Sequence, residues 1–541
     1  MFMVHRKLAQ LMLTGIAAVV AISGCSSSTA TNTPAASVNS SAAASAAPTS
    51  AINPSGDTLT IASSAPPTSL DPMLQSVDQI NSMYINVPYD SLTRIDKDGK
   101  LVPDLATSWQ YTDTGRTTFQ LTLRSGVKFS DGSPMTAADV VAGLNYGRAK
   151  GVNAAWLGGI DSVTAQGDNT VVIHSATPID ALPYVLSQRL HLGSVVQAKA
   201  ASDPAMLKTA TYGAGAYMLD PSQTVANATY TYVPNPYYWD PAKIQWHKIV
   251  IKVVSDANAA LQAVLSGAAQ LFSGNQPTAT AAQNAGLIVA TAPFGITGIQ
   301  ISDRNGEIVP ALKDPLVRQA LMYAIDRPAI QKAVFGGFSA PSASLILKTQ
   351  DGYTGTDDSA FGYDMAKAKS LLAQAGYANG FSFNMSTPAA NNTNLMAQAV
   401  IASWAQLGVK ATLQTYTDLG QLTTDIIAKK YPVSAFNYGS LPTYIQARSF
   451  INGGATQFNP WGLTDDQVLQ SLAAASTATT DQARSDAYAA AWRRATVDLA
   501  WFSAVYVRQQ VTIYDQKKIS GVFITTAGPV VDLAWTVVPV K

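Results

Sequence analysis

Cysteine is almost absent from this 541-residue chain, Cys25 being the single one. That excludes an internal disulfide framework, a four-cysteine zinc site and any Cys-x-x-Cys pair. Histidine is scarce too: beyond His5 there are His174, His191 and His247, none with a His or Cys partner at metal-ligand spacing. No His-Glu-x-x-His, no Gly-x-Ser-x-Gly elbow and no Gly-x4-Gly-Lys phosphate loop occurs. Ser125-Gly126-Val127-Lys128 matches a Ser-x-x-Lys pattern but falls in a turn between two strands, where the lysine is not one helical turn from the serine. Asp96-Lys97-Asp98-Gly99 lacks the further oxygen ligands of a calcium loop and is better taken as a turn. No catalytic residue, metal ligand or cofactor is therefore expected, and an enzyme is not.

One-sided charge is missing as well. The formal net charge is +1 and no run of five Lys or Arg occurs, so nucleic acid is not an expected partner. Hydrophobic residues make up 47% and charged ones 13%, too apolar a mixture for disorder. A single core stops growing near ~250–300 residues, so at least two lobes are expected.

The first residues have the form of an address. His5-Arg6-Lys7 are followed by an uncharged, mostly apolar stretch over 8–22, fifteen residues long. It falls short of the ~20 residues that span a bilayer but suits a signal-peptide apolar region. Ile22-Ser23-Gly24-Cys25 resembles the bacterial lipobox, in which the cysteine is acylated and becomes the new N-terminus. Residues 26–55 carry no charge and are almost all Ser, Ala, Thr, Asn and Pro, the composition of a flexible linker. The folded body is expected to begin near Asp57. Loss of Arg6 and Lys7 with the leader leaves 33 basic against 34 acidic residues, a net charge of −1. No later segment approaches eighteen consecutive apolar residues, so lipid is the expected membrane attachment.

Both strand and helix signals run through the body. Phe119, Leu121 and Leu123 alternate on one face of a strand, and Thr136 with Asp139 opens a helix through about Arg148. Asp314-Pro315 starts another helix, and Pro328 ends it and begins the next. Over 364–416 the pattern runs helix, strand, helix, strand, which argues for βαβ units in a mixed α/β lobe.

Several stretches resemble family 5 extracellular solute-binding proteins, the peptide/nickel/opine receptors of ABC importers. They are Gly99-Lys100-Leu101-Val102-Pro103-Asp104-Leu105-Ala106 through Trp109, Phe119 through Gly132 with Thr136-Ala137-Ala138-Asp139-Val140, Asn235-Pro236-Tyr237-Tyr238-Trp239, Lys313-Asp314-Pro315 through Leu321 with Ala324-Ile325-Asp326-Arg327, and Ala366-Lys367-Ala368 through Tyr377. Each alone is weak, whereas the ordered set is specific and extends over residues 57–541. The resemblance implies a bilobal, periplasmic-binding-protein-like α/β fold whose lobes close over a ligand about two crossing strands, near 296–302 and 505–511. The expected divisions are a signal peptide (1–24), acylated cysteine and linker (25–56), first lobe (57–295, with an inserted subdomain near 85–200), second lobe (296–505) and a return to the first lobe (506–541). It implies a monomeric receptor, lipid-anchored on the extracytoplasmic face of a bacterial membrane, that delivers a peptide or other small polar solute to ABC permease subunits. A surface ligand-presenter or sensor of the same fold, and a cell-envelope hydrolase, remain alternatives.

In peptide-binding relatives a carboxylate after the strand equivalent to 434–437 meets the ligand's ammonium. Here 432–463 has no acid, and its one charge is Arg448. The candidate ligand-binding set is Tyr84, Phe294, Thr297, Asn437, Tyr438, Ser440, Tyr444, Arg448 and Trp461. Aromatic faces and amides suit a neutral ring-bearing or N-blocked solute, or an anion if Arg448 points inward; Asp71, Asp78 or Asp303 could instead supply the charge for a free peptide. Peptide, sugar-like, and opine or chelate ligands all stay open. One expectation is testable at once: Cys25→Ala should release intact protein from the membrane fraction without lowering its melting temperature, and membrane retention of that variant would refute acylation.

Overall fold

The computed structural model describes residues 52–336, 338–524 and 531–541. The leader, Cys25 and most of the linker expected over 25–56 lie outside them.

Local chemistry sets the elements. Asp139 accepts from the Thr136 backbone N–H at 2.9 Å and completes a capping box on the helix Ala137–Lys150. Asp314 accepts from the Leu316 N–H at the start of Pro315–Tyr323. The next helix, Arg327–Phe335, is capped by Asp326, so Pro328 falls in its first turn, where a missing N–H costs nothing. Strands Ser382–Pro388 and Lys410–Tyr416 pair in parallel, with helix Thr393–Ala405 between them, the crossover unit that the alternation over 364–416 predicts.

These pieces assemble into a bilobal α/β fold around an eleven-stranded mixed sheet. In order across it stand Lys410–Tyr416, Ser382–Pro388, Val433–Gly439, Ile288–Ile301, Phe502–Tyr514, Leu271–Gly274, Gly56–Ser63, Trp246–Val253, Thr229–Pro234 and Tyr217–Leu219, with Ala340–Pro341 paired off this path. Ile288–Ile301 and Phe502–Tyr514 are long enough to serve both halves. Their antiparallel ladder runs from Ile288 opposite Tyr514 in the first half to Gln300 opposite Phe502 in the second, with irregularities at Pro293/Gly295 and Thr297/Gly298. An inserted four-stranded antiparallel sheet (Ala106–Tyr111, Thr118–Leu123, Thr170–Ser175, Ile160–Gln166) packs on helix Ala137–Lys150 through Phe119, Leu121, Val140, Leu144 and Ile173. Leu441 and Ile445, which follow the second-half strand Val433–Gly439, join this subdomain core. Among the described residues no helix is long and apolar enough to cross a membrane, and no cluster of His, Cys, Asp or Glu is placed to hold a metal.

A buried charge cluster ties the first half together. Arg94 meets Asp90 at 3.1 Å, Asp104 at 2.9 Å and, from near the other end of the chain, Asp532. Its guanidinium lies 3.7 Å from the Trp535 ring centroid. Asp90 also accepts from the Tyr238 hydroxyl at 2.8 Å and the Trp239 indole at 3.0 Å, while Arg124 covers the other aromatic, Trp239, at 3.9 Å. Residues of three of the recognisable motifs, Asp104, Arg124 and the Tyr238-Trp239 pair, thus meet in and around this cluster. Burial pushes the Asp90 and Asp104 carboxyls above the ordinary carboxylate value, against the pull of Arg94.

Raised folded-state values mean that these two groups favour the fold most below about pH 4 and that this contribution fades as pH rises through them. Arg94→Met should therefore lower stability by about 3–5 kcal/mol at pH 7, because it strands buried carboxylates. The deficit should shrink at pH 5 as they protonate. Urea denaturation at both pH values checks this; an equal deficit at the two would contradict it.

Candidate functional site

Where the crossing strands pass between the halves, three neighbouring strands bring polar side chains together. Thr297 stands opposite Asn437 on one side and Tyr506 on the other. The Thr297 hydroxyl donates to Asn437 Oδ1 at 2.6 Å, and Asn437 Nδ2 donates to Thr393 Oγ1 at 2.6 Å. The Tyr506 hydroxyl donates to the Asn391 carbonyl at 3.2 Å. Asn391 and Asn392 are consecutive non-glycine residues in the left-handed region, φ 58° and 57°. Asparagine tolerates that region better than most residues, yet each such position stores on the order of 1 kcal/mol or more, a feature concentrated at ligand sites. The approach of the strands is close: a Cβ on Gly295 would lie 2.3 Å from the Tyr438 carbonyl oxygen.

Two cavities adjoin this junction. One of about 320 Å³ has the amides of Gln300, Asn391, Asn437 and Gln457 set among Leu422, Ile426, Phe436 and Phe458. The other, about 340 Å³, is lined by Leu101, Asp180 and Tyr184 from the earlier part of the sequence and by Gln350, Asp351, Ser440, Tyr444, Arg484 and Tyr488 from its later part. Its charges are paired at the walls, Arg484 with Asp351 at 2.9 Å and Asp180 with Arg116 at 3.0 Å. Burial raises the Asp180 carboxyl, and Arg116 opposes that rise. Apolar walls with a few convergent polar groups are the usual make-up of a small-molecule site.

The residues singled out from sequence fall into two groups. Phe294, Thr297, Asn437, Tyr438 and Ser440 are neighbours at the junction, the Ser440 N–H donating to the Phe294 carbonyl at 2.6 Å. Because strand side chains alternate, Thr297 and Asn437 share one face while Tyr438 turns to the other. There its ring meets Phe450 and Phe458 edge-on at 4.8 and 5.4 Å, and among the described residues its enclosed hydroxyl makes no hydrogen bond of good geometry, Ser449 being close to it. Tyr444 reaches across to the subdomain, its hydroxyl 3.4 Å from the Pro178 carbonyl. The others lie apart. Tyr84 is buried in the first-lobe core against Tyr230, its hydroxyl donating to the Ala65 carbonyl at 3.0 Å. Trp461 donates to Glu307 at 2.8 Å. Arg448 is exposed beside Tyr444 and the Gly158 carbonyl, so it does not point inward. Asp71, Asp78 and Asp303 are all spent on backbone N–H groups, at Met73, at Asn81 and at Glu307 to Val309 respectively.

The sequence reasoning missed Arg508. It stands opposite Gly295 on the second crossing strand, its guanidinium 4.0 Å from the Phe294 ring centroid. Its Nε is shut off from solvent without an acceptor, and burial pulls the group down to about 10. Nothing local marks it, since Tyr506-Val507-Arg508 is simply a strand pattern with a charge in it.

Two lobes joined by paired strands, with polar groups at the junction, define the class of bilobal solute-binding proteins. Residues 100–458, more than half of the chain, match the model of the bacterial extracellular solute-binding proteins, family 5 (middle region), and the chain belongs to that family. It is 30% identical over 376 residues to the glutathione-binding protein GsiB of Escherichia coli (strain K12), covering 67% of this chain and 70% of that one. It is 27% identical over 350 residues to the dipeptide-binding protein of the same organism, covering 59% of this chain and 64%, a little under two thirds, of that relative. Among solved structures, HbpA2 from Haemophilus parasuis superposes with a TM-score of 0.79 at 19% identity, over 90% of this chain and 100% of that one, a likeness of fold.

Tyr438 can be tested directly. Tyr438→Phe should leave stability unchanged or slightly raised, because it removes an enclosed hydroxyl that makes no hydrogen bond of good geometry. Tyr438→Ala should cost roughly 3 kcal/mol through loss of its ring contacts. Chemical denaturation of both variants distinguishes packing from hydroxyl chemistry.

Proposed function

We propose that this protein is an extracytoplasmic receptor, lipid-anchored at Cys25, that captures a peptide or other small polar solute between its lobes and passes it to the permease subunits of an ABC importer. The observation that carries this reading is the continuous Ile288–Ile301 and Phe502–Tyr514 ladder, which joins both halves beside cavities lined by polar groups. Solute held at such a junction is in contact with both lobes, so binding favours closure, and a permease senses the closed form. The names of the two Escherichia coli relatives, one dipeptide-binding and one glutathione-binding, support a peptide-like ligand. The lipobox-like Ile22-Ser23-Gly24-Cys25 and the uncharged linker after it support the anchor. In this scheme the first lobe comprises 57–295 with an insertion over about 85–200, the second comprises 296–505, and 506–541 return to the first. The receptor acts as a monomer.

The test is a ligand screen with glutathione, free di- to pentapeptides and their N-acetylated forms on the soluble Cys25→Ala protein. A solute that binds at micromolar or better affinity should compact the particle in small-angle scattering and change tryptophan fluorescence. Tight binding that leaves both signals unmoved would refute capture by closure.

A further inference from the structure

The five fully buried arginines among the described residues are all held by hydrogen bonds or ion pairs, whereas the half-buried Arg508 is not. Arg94 has its carboxylates. Arg304 donates to the Ile301 and Phe458 carbonyls and to Asn459. Arg318 donates to the Leu312, Lys313 and Leu499 carbonyls, and Arg327 to Ala504, Phe361 and Ser503. Even Arg189, whose Nε is unpaired, reaches the Val77 carbonyl. Arg508 makes no ion pair with any described residue, and its enclosed Nε has no acceptor. Its one partner is the Phe294 ring. A guanidinium lying on an aromatic face keeps its in-plane N–H fork free, and that fork matches a carboxylate.

Position makes this more than an unfilled donor. Residues 506 and 508 lie on one face of the crossing strand, with Thr297 opposite Tyr506 and Asn437 next across the sheet. The free fork therefore belongs to the same polar face as the Thr297–Asn437–Thr393 hydrogen-bond chain, at the junction of the lobes. Tyr506, the titratable group whose charge bears on Arg508, is held up to about 12 by burial and stays neutral, and among the described residues Arg508 has no ion pair.

Resting on the receptor reading above, we propose that Arg508 is the charge-selecting residue of the site: its guanidinium donates to a carboxylate of the captured solute, so that this receptor takes carboxylate-bearing ligands and discriminates against neutral ones. This moves the expectation away from the neutral solute suggested by the acid-free segment 432–463. The carboxylate belongs either to a peptide or to a small free acid, and the guanidinium chemistry is the same for both.

The experiment uses the full chain in detergent with native mass spectrometry to read retained solute. The probes are a di- to pentapeptide library as free acids, as C-terminal amides and as methyl esters of every carboxyl, together with succinate, gluconate and maltose. Retention lost on amidation assigns the peptide C-terminus; retention surviving amidation but lost on esterification assigns a side-chain carboxylate; retention of succinate or gluconate alone assigns a free acid. All three support the proposal. Arg508→Gln should then reduce retention by about tenfold or more while leaving the melting temperature of the ligand-free protein unchanged or higher, and Arg508→Lys, which keeps the charge without the fork, should fall between. Retention of esters or maltose as strong as that of free acids would overturn the role of Arg508 and leave the receptor standing. So would undiminished retention by Arg508→Gln, or a lowered melting temperature in that variant, which would mark a structural prop. No retention of any probe would bring down the receptor reading and this inference with it.

Discussion

The structure depends on one backbone ladder. Ile288–Ile301 and Phe502–Tyr514 stay hydrogen-bonded through both halves of the sheet, and every other element takes its place relative to that pair. A two-stranded ribbon is stiff along its length but twists readily, and its irregularities at Pro293/Gly295 and Thr297/Gly298 are where extra twist is localised. The polar junction is built at these points. Phe294 is the residue skipped by the first irregularity, and Thr297 and Arg508 flank it in register. The proposed binding chemistry and the ladder's irregularities therefore fall on the same few residues.

Much of the local architecture was legible before any coordinates. The capping box at Thr136 and Asp139, the acidic cap and proline at Asp314-Pro315, and the alternation over 364–416 each rest on interactions a few residues long, and each appears in the expected place. The family motifs were legible as a set, but their purpose was not. Asp104, Tyr238 and Trp239 look like turn and core residues until Arg94 draws them together. Side chains chosen by type fared unevenly. Tyr84 is a core residue and Trp461 is held by Glu307, because an aromatic ring suits a core as well as a pocket.

Arg508 shows the opposite limit. Its significance is the lack of a counter-charge, and that is a property of the folded surroundings rather than of any sequence window. Arg448 invited attention as the one charge in an acid-free segment, yet it lies exposed on a helix beside Tyr444. Spacing along a chain reports which residues share a strand or a helix face. It does not report which of two arginines, one on a helix and one on a crossing strand, has a guanidinium nitrogen shut off without an acceptor.

The Arg94 cluster has a further consequence for how the molecule is made. Its third carboxylate, Asp532, is 438 residues away in sequence, and the Trp246 indole likewise donates to the Val537 carbonyl 291 residues on. A chain emerging from the ribosome N-terminus first presents Arg94, Asp90 and Asp104 long before the segment that encloses them exists. Until that segment arrives, Arg94 lacks one of its three carboxylates. The contacts of Arg94 with Asp532 and of Trp246 with Val537 tie the first part of the chain to its last segment.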